Sequence, residues 1–309
     1  MQTKRLPRGQ PAVKSNRKAR FDLHYYLFLL PAFLLFTGFI VAPAISSIYY
    51  SFTNFDGVNP ATMNFIGAAN YKEMIDSDRV HNAFKNTIIL TVSLMILENI
   101  VALVLAVLVD QVRWFKNFFR SVFYLPVLIS GIVMGFIWTI LYNFNFGAIN
   151  QILTKLGLES WAIDWLGDQR YTMISIIVAT VWKGAGYYMI IYLAALQGVP
   201  QDLGEASRID GANRWQQFRH VTFPLLAGAV TVCMTLALIN GLKVFDQIAV
   251  MTDGGPGFTS ETMTYIIYKV AFAEGRQGFG TALAIGLFAL ILITTAIQTF
   301  ILRKREVQL

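Results

Sequence analysis

Two stretches of this chain run without Asp, Glu, Lys or Arg for longer than a soluble helix needs: 33 residues from Leu23 to Phe55 and 34 from Ser121 to Thr154. An apolar helix of about 20 residues crosses the roughly 30 Å hydrocarbon core of a bilayer at about 1.5 Å per residue. The first run is also far longer than the apolar core of a cleavable signal peptide, so it reads as a permanent span near 25–47. Further apolar segments near 87–109, 122–143, 173–196, 223–245 and 280–302 complete a set of six. Lipid offers no partner for free backbone groups, so the expected fold is all-α, a polytopic membrane protein with six transmembrane helices. Composition agrees: only 14% of residues are charged, against about 25% in a soluble domain.

The cations indicate which way the chain faces. Six crossings put both termini on one side, and 16 of the 25 Lys and Arg fall on that side or in the two loops sharing it. They are the seven of the basic tail over 1–22, three over 110–121, three over 197–222 and three at the end, before the short tail 306–309. The positive-inside rule makes that side cytoplasmic. A net charge of +7 would also suit nucleic acid, but these cations flank apolar runs rather than forming a binding stripe, so no nucleic-acid partner is expected. The opposite side receives 53–86, with a small amphipathic helix near Asn70 to Met74. It also receives 145–171, with Trp161 and Trp165 suited to the membrane surface, and 246–279, where Asp253-Gly254-Gly255-Pro256 signals a turn. Cys233 is the lone cysteine, and His24, His81 and His220 are scattered, so neither a disulfide nor a metal or cofactor site is expected.

The longest polar interval on the inner side is the loop 197–222. Pro200 and Asp202 supply helix-start signals, after which Leu203 and Ala206 fall on one side of a helical wheel and Glu205 and Arg208 on the other. Gly211 provides a residue able to take positive φ, and Asn213 followed by Gln216 resembles a capping pair that starts a second helix, on which Trp215 and Phe218 share a face. Pro224 is placed to begin the next membrane helix.

Glu205-Ala206-Ser207, then Gly211, then Val221-Thr222-Phe223-Pro224 after nine residues resembles the EAA loop, E-A-A-x3-G-x9-I-x-L-P, of permease subunits in binding-protein-dependent ABC importers. Asp210-Gly211-Ala212 and Phe218 resemble the carbohydrate-uptake branch, which includes the maltose and glycerol-phosphate permeases. The likeness extends to Trp182-Lys183, Leu242-Lys243, Phe245-Asp246 and the Asp253 turn. It implies a type I ABC importer permease fold in a bacterial cytoplasmic membrane, carrying a sugar. It also implies three kinds of partner: ATP-binding subunits, a second permease subunit in a heterodimer, and an extracytoplasmic solute-binding protein. Periodicity alone would equally suit a loop lying flat on the membrane. The resemblance instead implies docking to the ATP-binding subunit through Glu205, Ala206, Ser207, Asp210, Gly211, Phe218 and Pro224. No glycine is followed by lysine, so the chain lacks the phosphate-cradling loop and is not itself expected to be an enzyme.

Ionisable groups inside spans are costly and therefore functional candidates. Glu98 is suited to pair with Lys183 or face a water-filled path, and Lys243 with Asp246 one turn on. Tyr187 corresponds, by the resemblance, to the position where the maltose permease presents a tyrosine to its sugar, and a phenol offers a ring face and a hydroxyl. Asn240 offers an amide at comparable depth on the fifth span. Tyr187, Asn240, Lys183 and Lys243 are therefore the candidate substrate pathway. Ala237, Gly241 and Val244 stand where the maltose permease has polar contacts, which argues against maltose specificity. The alternative, a secondary transporter or channel for a small polar solute, would call for acids paired across repeat halves, and no such repeat is visible.

Overall fold

The computed structural model describes residues 23–112 and 114–304. The basic tail expected over 1–22 and the tail over 306–309, with Arg113 and Arg305, lie outside the described residues. The chain divides into two units, Met1–Ser47 and Ile48–Leu309. Helix α1 runs over 23–50, with a π-helical turn at Thr37–Val41. Then follow α2 (Ala69–Asp76), α3 (Asp78–Gln111), α4 (Lys116–Tyr124), α5 (Gly131–Leu141), α6 (Ala148–Lys155) and α7 (Thr172–Gln197). The chain continues through α8 (Gln201–Ile209), α9 (Arg214–Leu225), α10 (Ala227–Leu242), α11 (Asp246–Met251), α12 (Met263–Ala273) and α13 (Gln277–Arg303). One antiparallel bridge, Thr53 to Phe65, is the β pairing among the described residues.

By length and apolar composition, four straight helices qualify as membrane spans: Phe28–Tyr50, α3, α7 and α13. Two bent pairs raise this to six when each counts as one: Lys116–Leu128 with α5, bent by 96°, and α9 with α10, bent by 70°. The segment expected as one span over 122–143 is therefore broken. Pro126 sits in a 3-10 turn, Ile129 and Ser130 are extended, and the Ser130 side chain caps α5 by accepting from the Val133 N–H at 3.3 Å. The segment near 223–245 likewise does not begin at Pro224. Pro224 lies in the last turn of α9, and the membrane helix α10 starts at Ala227 after the non-helical ψ of Leu226. Proline lacks an N–H and crowds the carbonyl four residues earlier, and the π-helical turn Phe218–Thr222 just before it provides the wider spacing.

Helix α3 is the post around which the larger unit assembles. Its 34 residues extend about 51 Å, and Ser77 caps its start. Small residues let α7, α10 and α12 close on it: Ala83, Ala102 and Ala106 are fully buried. Gly241 of α10 lies so near that a Cβ there would stand 3.0 Å from the Thr91 Cα of α3. Leu90, Leu94, Met134, Ile176 and Ile248 form one core cluster; Ala102, Met189, Tyr192, Cys233 and Ala237 form a second. Within the second the Tyr192 hydroxyl donates to Asn99 at 2.7 Å, satisfying a buried pair.

The segment 246–276 is fastened to α2 and α3 by charge. Arg79 grips Glu261 with Nε to Oε2 at 2.9 Å and Nη2 to Oε1 at 2.7 Å, and reaches Glu274 at 2.7 Å. The Asn86 amide donates to the carbonyls of Phe258 and Glu261 at 3.2 and 3.0 Å. Arg276 pairs with Glu73 at 2.6 Å. In the turn itself the Tyr265 hydroxyl donates to the Asp253 carboxylate; that bond, with Lys269 at 3.2 Å, holds the carboxyl below the usual carboxylate range.

Candidate functional site

Two places gather the candidate residues. The first is the α8–α9 hairpin. Asp202 stands in the first turn of α8 and Arg208 in its last, each complementing the helix dipole. Asp210 ends the helix, and Gly211 then takes φ +84°. The Ala212 N–H donates to the Ser207 carbonyl and the Gly211 N–H to the Arg208 carbonyl, both at 3.0 Å, which is a Schellman closure. A Cβ at Gly211 would meet nothing within 4 Å, so backbone conformation and not space requires glycine. Asn213 and Gln216 cap each other reciprocally at 2.9 and 2.8 Å. Trp215 stacks on Phe218, and Phe218 in turn meets Phe223.

One cross-link sets how α8 and α9 face each other. The Gln217 amide donates to the Gly204 carbonyl at 3.2 Å, so the Gly204 and Ser207 side of α8 turns inward. The opposite side is therefore left open. Leu203, Glu205 and Ala206 are exposed there, and Ile209 is 87% exposed. The two-faced helix expected from the sequence thus presents its apolar side outward, away from its own chain.

The second place is a cavity of about 390 Å³ midway along α7, inside the range of about 300–1,000 Å³ typical of small-molecule sites. Lys183 and Tyr187 of α7, Asn240 at the end of α10, and Lys243 just beyond it all line this cavity, so the four pathway candidates come together. Tyr187 is exposed to it and packs edge-on against Tyr188, whose hydroxyl accepts from the Asn240 amide at 3.3 Å. Glu98, 5% exposed, enters from α3 beside Gly184, where a Cβ would collide with its carboxylate. Asp246 completes the lining and lies against Gly131 at the start of α5.

Neither suggested charge pair forms. Glu98 and Lys183 share the cavity without an ion pair, and Lys243 does not pair with Asp246. The second absence has a clear cause. Helix α10 ends at Leu242, and Phe245 takes φ −132°, so Lys243 and Asp246 are not one helical turn apart. Tyr188 and Gly184 are cavity residues that helical periodicity alone does not single out, because partners from α3 and α10 give them their place.

Residues 98–307 match the family described as the binding-protein-dependent transport system inner membrane component. The chain belongs to this family. Among its relatives is a probable starch degradation products transport system permease protein of Thermoanaerobacterium thermosulfurigenes, 38% identical over 296 residues, covering 95% of this chain and 99% of the other. A multiple sugar-binding transport system permease protein of Streptococcus mutans is 30% identical, covering 91% of this chain and 96% of its own. In structure, the permease resembles a chain of a bacterial ABC transporter involved in import of the acidic polysaccharide alginate. The TM-score is 0.81 at 24% identity, over 92% of this chain and 96% of that one, a likeness of fold.

Proposed function

We propose that this permease is one of two membrane subunits of an ATP-driven carbohydrate importer. Energy enters through the α8–α9 hairpin from separate ATP-binding subunits, and the sugar passes the cavity at Tyr187. The carrying observation is the outward apolar face of Leu203, Ala206 and Ile209, beside a Glu205 that makes no ion pair within the described residues. A hairpin packed against its own subunit would bury that face; one built to seat in a partner leaves it open. Glu205 then pairs with a basic residue of the ATP-binding subunit, and the rigid Gly211 closure transmits its displacement to α10. The relatives' names favour sugar as the cargo, delivered by an extracytoplasmic binding protein, with a second, different permease subunit supplying the other wall of the pathway.

The orientation is part of the same reading, with both termini, 110–121 and 197–222 cytoplasmic. Single cysteines at Ser15, Ser121 and Gln216 in a Cys233→Ala background are expected to resist a membrane-impermeant thiol reagent in intact cells and to react after permeabilisation. Labelling of the Gln216 cysteine from outside would overturn the topology.

The cavity's chemistry fits a polyhydroxyl solute. Tyr187 offers a ring face and Asn240 an amide, beside two acidic and two basic side chains. Tyr187 is ten residues from the end of α7, about 15 Å, well inside the span. We predict that Tyr187→Ala and Asn240→Ala each raise the half-saturating sugar concentration or lower the uptake rate about 5- to 30-fold, the loss of one stacking or hydrogen-bonded contact. Assembly and basal ATP turnover should stay intact. Lys243→Ala discriminates cargo: a loss confined to acidic sugars marks a charge contact, and equal loss for neutral sugars marks a structural one. Unchanged uptake in both the Tyr187 and Asn240 variants would remove the cavity from the pathway.

A further inference from the structure

A second and larger hollow, about 1360 Å³, opens between the end of α3 and the α8–α9 hairpin. One wall is a helical stripe of α3, Leu103, Val104, Val107 and Leu108, followed at the end of the helix by Asp110 and Gln111. Val104 and Leu108 are half exposed, so the stripe is an open apolar surface. The facing rim is polar and basic: Arg208, Asn213, Arg214 and Gln217, with Trp215 beside them. Asp110, the acid in the lining, is already taken by Lys116 at 2.7 Å, so the two arginines face the hollow without a neutralising carboxylate from it.

An apolar wall that leads along a membrane helix into a rim of two guanidinium groups has the polarity of a phospholipid. We propose that this hollow is a site for one anionic phospholipid, with acyl chain on Leu103, Val104, Val107 and Leu108 and phosphate held by Arg208 and Arg214. Guanidinium groups bind phosphate oxygens through paired N–H donors, and basic pockets at the cytoplasmic ends of membrane helices favour acidic headgroups. Trp215 suits the headgroup level. The site would tie lipid composition to the hairpin, because Arg208 belongs to α8 and Arg214 to α9, on either side of the Gly211 turn. The inference rests on the cytoplasmic placement of the hairpin, which the thiol-labelling experiment decides separately.

The test uses the assembled transporter, purified in detergent with its co-extracted subunits and titrated with phosphatidylglycerol or phosphatidylcholine while bound lipid is counted by native mass spectrometry. Phosphatidylglycerol is expected to bind in preference, and R208Q/R214Q to weaken it about 10-fold or more. Leu108→Trp, which fills the apolar wall without changing charge, should weaken it as well. Equal binding of both lipids, or unchanged phosphatidylglycerol binding in R208Q/R214Q and in Leu108→Trp, overturns the site. So does displacement by inorganic phosphate alone, which would mark a free-anion site. Loss of the ATP-binding subunits together with the lipid in R208Q/R214Q would assign the arginines to those subunits and also reject the proposal.

Discussion

Replacing Gly211 by valine is expected to abolish uptake while leaving the subunit inserted in the membrane at normal abundance. At φ +84° a residue with a Cβ costs roughly 1–2 kcal/mol, and a β-branched residue fits worse still. Two capping hydrogen bonds, Ala212 to Ser207 and Gly211 to Arg208, would be lost with the turn, each contributing about 1 kcal/mol. Among the described residues the Gln217–Gly204 bond is the one other hydrogen bond tying α8 to α9, so the hairpin would re-fold locally and its outward face would no longer fit the proposed partner. Because space around Gly211 is open, Gly211→Asn, the residue best able to adopt a left-handed conformation after glycine, should keep a substantial part of the activity. Glu205→Lys should fail as completely as the valine variant, because under the docking proposed above it places a cation against a basic partner residue. Uptake by whole cells, set against membrane abundance and retention of ATP-binding subunits in pull-downs, checks both. Normal transport by Gly211→Val with its partners bound would sink the coupling role of that turn.

The second large effect lies at the other end of the larger unit. Arg79→Ala leaves the Glu261 carboxylate, whose side chain is 3% exposed, without its counter-charge. Breaking a buried pair on one side costs roughly 3–5 kcal/mol. The Arg79 side chain is 31% exposed, so solvent screening brings the effect below that range, to about 2–3 kcal/mol. Hydrogen exchange of the amides over 253–276 is expected to accelerate by roughly 30- to 150-fold, the equivalent of that loss. The double variant Arg79→Met with Glu261→Gln should recover most of the protection, because neither side then buries a charge. Exchange that remains at the wild-type rate in Arg79→Ala would show that apolar packing of Met263, Ile266 and Val270 holds the segment unaided.

Local chemistry was legible in the chain, and long-range chemistry was not. The charge-free runs mark apolar spans because water-to-lipid transfer acts on each segment by itself. The helix, glycine, helix form of 201–225 was legible for the same reason: a Schellman turn and a capping box close within a few residues, so Gly211, Asn213 and Gln216 carry their own geometry. What a proline does is local only in part. Pro126 and Pro224 each take an N–H out of the helical ladder, but whether the chain would bend by 96° and 70° depended on what the freed segments pack against. Pro224 consequently ends one helix instead of beginning the next. The cavity was half visible: Lys183, Tyr187, Asn240 and Lys243 stand out as polar residues in apolar segments, but that they share one lining with Glu98 and Asp246 follows from α3 lying between α7 and α10. The tie between Arg79 and Glu261 joins residues 182 apart, and no periodicity registers a partner at that distance. Segment-by-segment transfer energies are written in composition and spacing. Which segments meet is decided only when small residues such as Ala102, Ala106 and Gly241 allow helices to close, because close packing is a property of two surfaces together.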